Sequence, residues 1–113
     1  MKKIITLALV VALPSGVLAH SKVEGTTPAN GETMAAVPFE IGLNFDKDIR
    51  LTRVKMEHDA NPAVNLELGD QTKFGQEFTI PLPSKGTGTY VIQWRGLGED
   101  GHAMQGEFSF TVE

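Results

Sequence analysis

The 113-residue sequence contains no cysteine and has one tryptophan and one tyrosine. Without cysteine there can be neither disulfides nor thiolate metal ligands, so a hydrophobic core must hold the fold and a metal site must use nitrogen, oxygen or methionine sulfur. The formal net charge of −4 argues against a nucleic-acid partner, which a basic surface would favour. The remaining composition, 41% hydrophobic and 21% charged, is ordinary for one soluble domain.

The beginning of the chain differs from the rest. Two lysines precede an apolar run over 4–13, and the small residues Val17 and Ala19 follow it, which is the pattern of a secretory signal peptide cleaved after Ala19. The run has about half of the roughly 20 residues that a membrane-spanning helix needs, so no membrane insertion is expected. We predict a cleaved leader at 1–19 and a soluble, exported domain at 20–113. Losing the two lysines changes the formal charge from −4 to −6.

Apolar and polar residues alternate repeatedly along the predicted domain, as in strands buried on one face. The clearest run is 39–45, in which Phe39 and three further apolar residues share one face. The other predicted strands are 22–26, 51–57, 64–68, 78–82, 90–94 and 108–112. Turns rich in proline, glycine, asparagine and aspartate separate them, and no stretch keeps helical periodicity. The sequence therefore predicts an all-β, immunoglobulin-like sandwich of about seven strands.

Candidate metal ligands lie near the two ends of this domain. Cleavage after Ala19 would give His20 a free α-amine with a pKa of about 8, so the amine and the imidazole Nδ1 can chelate a metal together. Asp100 and His102, at i and i+2, point to the same side of an extended backbone and offer a carboxylate and a second imidazole. A tetragonal nitrogen and oxygen set of this kind favours Cu(II).

Topology would bring these ligands together. The first strand of an immunoglobulin-like sandwich often pairs in parallel with the last, which would place His20 beside Asp100 and His102.

We interpret His58 as a surface residue because it lies in a polar run entering a turn. Arg95 either holds Asp100 in position or is merely exposed.

Other side chains have mainly structural interpretations. Met56 is predicted to pack in the core, and Met104 to cover the site. Trp94 and Tyr90 are predicted core residues, with Tyr90 placed like the tyrosine corner of immunoglobulin-like domains.

Several motifs in a fixed order extend this interpretation. They are His20-Ser21-Lys22, Thr27-Pro28-Ala29-Asn30-Gly31-Glu32, Leu43-Asn44-Phe45, Pro81-Leu82-Pro83, Gly88-Thr89-Tyr90, Trp94-Arg95, Asp100-Gly101-His102 and Phe108-Ser109-Phe110. With these motifs the chain resembles the CopC family of periplasmic copper-resistance proteins over nearly the whole predicted domain.

The resemblance implies a Greek-key, cupredoxin-like β-sandwich that binds one Cu(II) per chain through His20, Asp100 and His102, with Asp46 and Glu24 as weaker candidate ligands. It implies a periplasmic protein of copper resistance and homeostasis, part of the response to copper ion, that passes copper to a CopD-type inner-membrane transporter. Some relatives have a methionine-rich Cu(I) site, which we expect to be absent here because the corresponding stretch contains only Met56. The acidic surface favours a monomer.

Two other functions remain open. A histidine brace is also the copper site of lytic polysaccharide monooxygenases, but one tryptophan and one tyrosine leave little material for a carbohydrate-binding platform. The other alternative is an extracytoplasmic binding or adhesion module in which the histidines are incidental. No nucleophile elbow or phosphate-binding glycine loop is present, so we predict that the protein is not an enzyme.

Overall fold

Residues 23–113 are the part of the chain that the computed structural model describes, and they form seven strands without a helix. The strands are β1 (Val23–Thr27), β2 (Glu32–Met34), β3 (Glu40–His58), β4 (Val64–Asn65), β5 (Phe74–Pro81), β6 (Gly88–Gly98) and β7 (Ala103–Val112). The predicted all-β class is therefore confirmed. The described residues contain no helix with the length and hydropathy of a membrane span. The predicted leader and His20 lie outside the described residues.

The strands form one strongly curled sheet in the order β1-β3-β6-β7-β2, with β4 and β5 also pairing with β3. β3 shapes the fold because it runs through both layers of the sandwich. Its first part pairs with β1 and β5, and its second part pairs with β6 and β4, with β5 continuing to Ile49 and Arg50. The register between β3 and β5 shifts between Asn44 and Ile49, so an irregular segment at 45–48 separates the two parts.

The observed strands differ from the predicted ones in three ways, all of which depend on long-range pairing. The runs 39–45 and 51–57 are parts of one strand, β3; the short β2 was not predicted; and β4 covers only two residues of the predicted 64–68. The expected parallel pairing of the first strand with the last is wrong. β1 pairs antiparallel with β3, and it is β2 that pairs in parallel with β7.

The core consists of the inward-facing residues of the alternating runs. Trp94 lies at its centre, with its ring centroid 4.9 Å from that of Phe45 in an edge-to-face arrangement. Met56 is 1% exposed, which confirms its predicted core position. Phe39 was predicted to face inward, and this is wrong: the residue is 93% exposed because β3 begins at Glu40, so Phe39 lies beyond the pleat that alternates the side chains.

Tyr90 anchors the loop that leads into β6. Its ring stacks on Phe110 with centroids 5.0 Å apart, and its hydroxyl donates to the Gly86 carbonyl oxygen at 2.7 Å. The same hydroxyl accepts a hydrogen bond of 2.9 Å from the Lys85 backbone N–H. A buried ring thus fixes an exposed loop through its polar end, as predicted for a tyrosine corner.

The substitution Tyr90→Phe keeps the ring and removes both loop contacts. We expect it to lower the free energy of unfolding by about 1–3 kcal/mol, because two backbone groups lose their partner. Urea unfolding followed by tryptophan fluorescence measures this as a lower midpoint at unchanged slope. An unchanged midpoint would show that water replaces the hydroxyl without loss.

Candidate metal centre

A tight turn joins β6 to β7 and carries Asp100 and His102. The Gly98 N–H donates to the His102 carbonyl at 3.0 Å, and the Gly101 N–H donates to the Gly98 carbonyl at 3.0 Å. Gly101 has a φ of 85°, in the left-handed region that glycine adopts without steric cost. The turn therefore holds the aspartate and the histidine on either side of a residue without a side chain.

Within this turn, Asp100 and His102 contact each other directly. The Oδ2 atom of Asp100 lies 2.9 Å from Nδ1 of His102, and Oδ1 accepts the His102 backbone N–H at 3.1 Å. A neutral ring that donates its Nδ1–H to a carboxylate keeps a lone pair on Nε2, the arrangement found in many metal-binding histidines. The His102 side chain is 80% exposed and that of Asp100 is 61% exposed, so both remain accessible.

The electrostatics of the turn keep Asp100 ionised. The backbone N–H of His102 lowers the pKa of the Asp100 carboxyl below its ordinary value of 3.8, and the hydrogen bond from the His102 ring lowers it further. The turn thus offers a carboxylate and an imidazole, which are hard oxygen and intermediate nitrogen donors suited to a divalent transition metal.

Met104 lies beside this pair, partly buried against the core. A Cβ atom placed on Gly98 would lie 2.9 Å from Cε of Met104 and 3.0 Å from Oδ1 of Asp100. The missing side chain at Gly98 therefore provides the space that the thioether and the carboxylate share. This places Met104 next to Asp100, in keeping with its predicted covering position.

The other predicted ligands have different positions. Asp46 is exposed in the irregular segment 45–48, and its neighbour Asp48 accepts a hydrogen bond of 3.0 Å from Nε2 of Gln76. His20 and the side chain of Glu24 lie outside the described residues. Among the side chains of 25–113, which the structure describes, no group of three or more histidine, aspartate or glutamate residues is arranged to hold a metal. The structure thus brings Asp100 and His102 together but does not bring Asp46 to them.

The first strand begins at the same end of the sandwich as this turn. Val23 pairs with Phe45 at the edge of the irregular segment, and Ile49 at its other edge pairs with Gly98. The first described residue therefore comes to the predicted end of the sandwich through β3, a different route from the predicted pairing with β7.

His58 lies at the opposite end of β6, where it pairs with Tyr90. Its Nε2 atom is 2.7 Å from the Thr87 carbonyl oxygen, its ring centroid is 4.8 Å from that of Tyr90, and its side chain is 12% exposed. The surface interpretation is therefore wrong, because this ring is built into the loop before β6. Its separation from the β6–β7 turn follows from strand register, which a local sequence pattern does not encode.

Of the two roles predicted for Arg95, holding Asp100 or being merely exposed, the structure agrees with the exposed one. It lines a groove on the outer face of the sheet, and no carboxylate oxygen of the side chains described, those of 25–113, lies within 4 Å of its guanidinium nitrogens. Sequence reasoning missed this groove because the residues that line it come from three strands. The one local signal is that the outward positions of these strands carry long polar side chains.

Substituting His102 tests the electrostatics of the turn in metal-free protein. In His102→Ala we expect the pKa of Asp100 to rise but to stay below its ordinary value, because the ring is lost while the backbone N–H remains. A carboxyl with a depressed pKa stabilises the fold above its unfolded pKa and loses that contribution as pH falls through the folded pKa, so the effect is confined to pH values below about 4. An NMR titration of the Asp100 carboxyl carbon measures the change, with His58→Ala as the unaffected control. An unmoved titration curve would contradict the 2.9 Å hydrogen bond.

Comparison with known proteins places the whole described region in one family. The family model described as the CopC domain matches residues 23–113. Copper resistance protein C of Escherichia coli is 28% identical over 99% of this chain and 96% of its own length, and protein YobA of Escherichia coli strain K12 is 30% identical over 97% and 90%.

Solved structures show the same fold. CopC from Methylosinus trichosporium OB3b superposes with a TM-score of 0.67 at 24% identity, covering 83% of this chain and 94% of that one. PcoC, a methionine-rich copper resistance protein from Escherichia coli, superposes with a TM-score of 0.57 at 26% identity, covering 84% and 100%. The predicted β-sandwich is confirmed by these neighbours, and the chain belongs to the CopC domain family.

Proposed function

We propose that this protein is a periplasmic copper carrier that binds one Cu(II) at the turn between β6 and β7, with its mature N-terminus completing the site. The observation that carries the proposal is the contact between Asp100 and His102, which leaves an exposed imidazole Nε2 beside an ionised carboxylate. Three relatives carry the name copper resistance protein C, which agrees with this function.

Each residue of the turn has a distinct role in this proposal. His102 supplies the imidazole nitrogen, and its Nδ1–H contact with Asp100 fixes the tautomer and the ring orientation. Asp100 supplies negative charge, and one of its oxygens can turn to the metal, since a carboxylate has about four acceptor positions. Gly101 keeps the space between the two side chains open.

Two donors in water are too few for a tight Cu(II) site, so further nitrogen ligands are required. We assign them to the α-amine and imidazole of His20 after cleavage behind Ala19. Two residues, Ser21 and Lys22, separate His20 from Val23, so the chain between them reaches at most about 11 Å. Val23 pairs with Phe45 and the nearby Ile49 pairs with Gly98, and this register supports the assignment. Asp46 and Glu24 are further candidates at this end.

The methionines support Cu(II) over Cu(I) as the bound ion. Met56 is buried, and Met34 and Met104 are partly buried against the core, so within 23–113 none is freely presented to solvent. Thioether sulfur is the soft ligand that Cu(I) prefers. The described residues thus do not supply a methionine-rich site like the one that the name of the Escherichia coli PcoC structure suggests.

A carrier must also release its metal. The exposure of both donors in the turn lets an incoming ligand reach the metal, which suits transfer to a CopD-type transporter in the inner membrane. We propose that the carrier acts as a monomer and is not an enzyme.

The N-terminal assignment is tested with copper itself. Protein beginning at His20 should bind one equivalent of Cu(II) with a nitrogen-rich tetragonal electron paramagnetic resonance signal. A matched protein with one extra residue before His20 loses the free amine at that position, so its affinity should fall by orders of magnitude. Equal affinity of the two proteins would rule out the N-terminal ligands and leave a binding or adhesion module as the better explanation.

The turn is tested by substitution in the protein beginning at His20. Asp100→Asn should weaken Cu(II) binding about ten- to hundredfold, the usual effect of losing a group that orients a ligand, and His102→Ala should weaken it further. His58→Ala is the matched control, since this ring lies at the other end of β6, and it should bind as the parent does. Competition titration against a chelator of known affinity gives the values. Loss of Cu(II) binding in the His58 variant alone would show that the site lies at the other end of the sandwich.

A further inference from the structure

The outer face of the layer that contains β6, β7 and the second part of β3 carries a cluster of positive charge, which we call the basic face. It consists of Arg53 and Lys55 on β3, Gln93 and Arg95 on β6, and Gln105 on β7, and these side chains line a shallow groove together with Glu107. Strand register arranges them in two rows. Arg53 lies opposite Arg95, which lies opposite Gln105, while Lys55 lies opposite Gln93, which lies opposite Glu107.

The pairing of Arg53 with Arg95 is unfavourable by itself. Like charges directly opposite each other on neighbouring strands destabilise a sheet. Among the side chains that the structure describes, 25–113, no carboxylate oxygen lies within 4 Å of a charged nitrogen of Arg53, Lys55 or Arg95. Glu107 faces Gln93 instead of a cation. A protein whose formal charge is −4 thus concentrates three of its ten cations on one face without pairing them to the described acids.

This arrangement is suited to an anionic ligand. Two guanidinium groups on opposed strands can each bind a carboxylate through two parallel N–H···O bonds, and the long amide side chains of Gln93 and Gln105 add donors and acceptors beside them. The rows cross three strands and the groove is open, which favours an extended segment over an enclosed small molecule.

We propose that the basic face docks an acidic, extended segment of a partner protein, with aspartate or glutamate carboxylates bound by Arg53 and Arg95. Charge complementarity selects this class of partner. A short acidic segment meets the three cations locally, whereas an anionic membrane or a nucleic acid would meet the net negative charge of the whole protein.

The position of the basic face connects it with the β6–β7 turn. Gln105, which pairs with Arg95, follows His102 by three residues, a distance of about 10 Å along a strand. A docked segment would therefore lie beside Asp100 and His102. That part of the inference, in which docking brings the partner to the metal, rests on the proposed function, whereas the docking itself does not.

The test uses copper-free, isotope-labelled protein beginning at His20 and a synthetic peptide of eight glutamates. Backbone NMR shifts should move on β3, β6 and β7 around the basic face, and binding should weaken with added salt. The double variant Arg53→Gln/Arg95→Gln should lose affinity about tenfold or more, since each arginine provides charge-assisted hydrogen bonds. Because the metal is absent, failure of the copper proposal would not affect this result.

A charge-matched control separates the basic face from net charge. Lys73→Gln/Lys85→Gln removes the same two charges from exposed positions outside the groove and should leave the affinity within about twofold. Equal weakening of both double variants would overturn the proposal, as would the absence of binding at low salt. Tighter binding to vesicles of phosphatidylglycerol than to the peptide would overturn it in favour of a membrane surface.

Stability gives a second, independent readout. Since the two arginines repel each other, Arg53→Gln/Arg95→Gln should unfold at the same or a higher urea concentration than the parent. A clearly lower midpoint would show that the arginine pair serves the fold, and the assignment of the basic face to a partner would be abandoned.

Discussion

The antiparallel pairing of β3 with β6 is the constraint on which the rest of the structure depends. It runs from Ile49 opposite Gly98 to His58 opposite Tyr90. Its inward positions bring Val54 opposite Trp94 and so define the middle of the core, while its outward positions set Arg53 against Arg95. The end of the pairing at Gly98 fixes where the β6–β7 turn begins. Core, basic face and candidate metal centre therefore share one register, and a slip of one residue would turn all of them to the wrong face.

The histidines at the two ends of this pairing make different contacts, and this difference affects which of them is free to bind a metal. At one end the His58 ring lies 2.7 Å from the Thr87 carbonyl oxygen through Nε2 and against Tyr90, while Asp59 accepts the Thr89 N–H at 2.9 Å. The polar groups there bind the loop that enters β6. At the other end His102 uses Nδ1 for Asp100 and leaves Nε2 toward solvent. The fold thus occupies one imidazole in its own structure and presents the other.

The sequence predicted what short-range patterns determine. Alternation located the core residues and the all-β class. Asp100 and His102 do contact each other as expected, but through a tight turn in which Gly101 has a φ of 85°, and the predicted extended backbone between them is wrong. Sequence reasoning missed what depends on distant partners. β2 is only three residues long and exists because β7 offers it a parallel edge, and β3 continues through an irregular segment because β5 and β6 pair with its two parts. Phe39 was misplaced for the same reason, since alternation does not tell where pairing stops.

The described part of the candidate site is incomplete in a way that agrees with a carrier. Asp100 and His102 form a preorganised pair, because the turn and their mutual hydrogen bonds fix both before any metal arrives. The remaining donors, in our proposal, come from the chain end. Under this proposal the metal can leave stepwise, because the chain end can release it while the turn still binds it. An incoming ligand can then enter at the exposed face of His102, beside the basic face where the proposed partner would lie. Tight binding and transfer are compatible under this arrangement because different parts of the chain provide them.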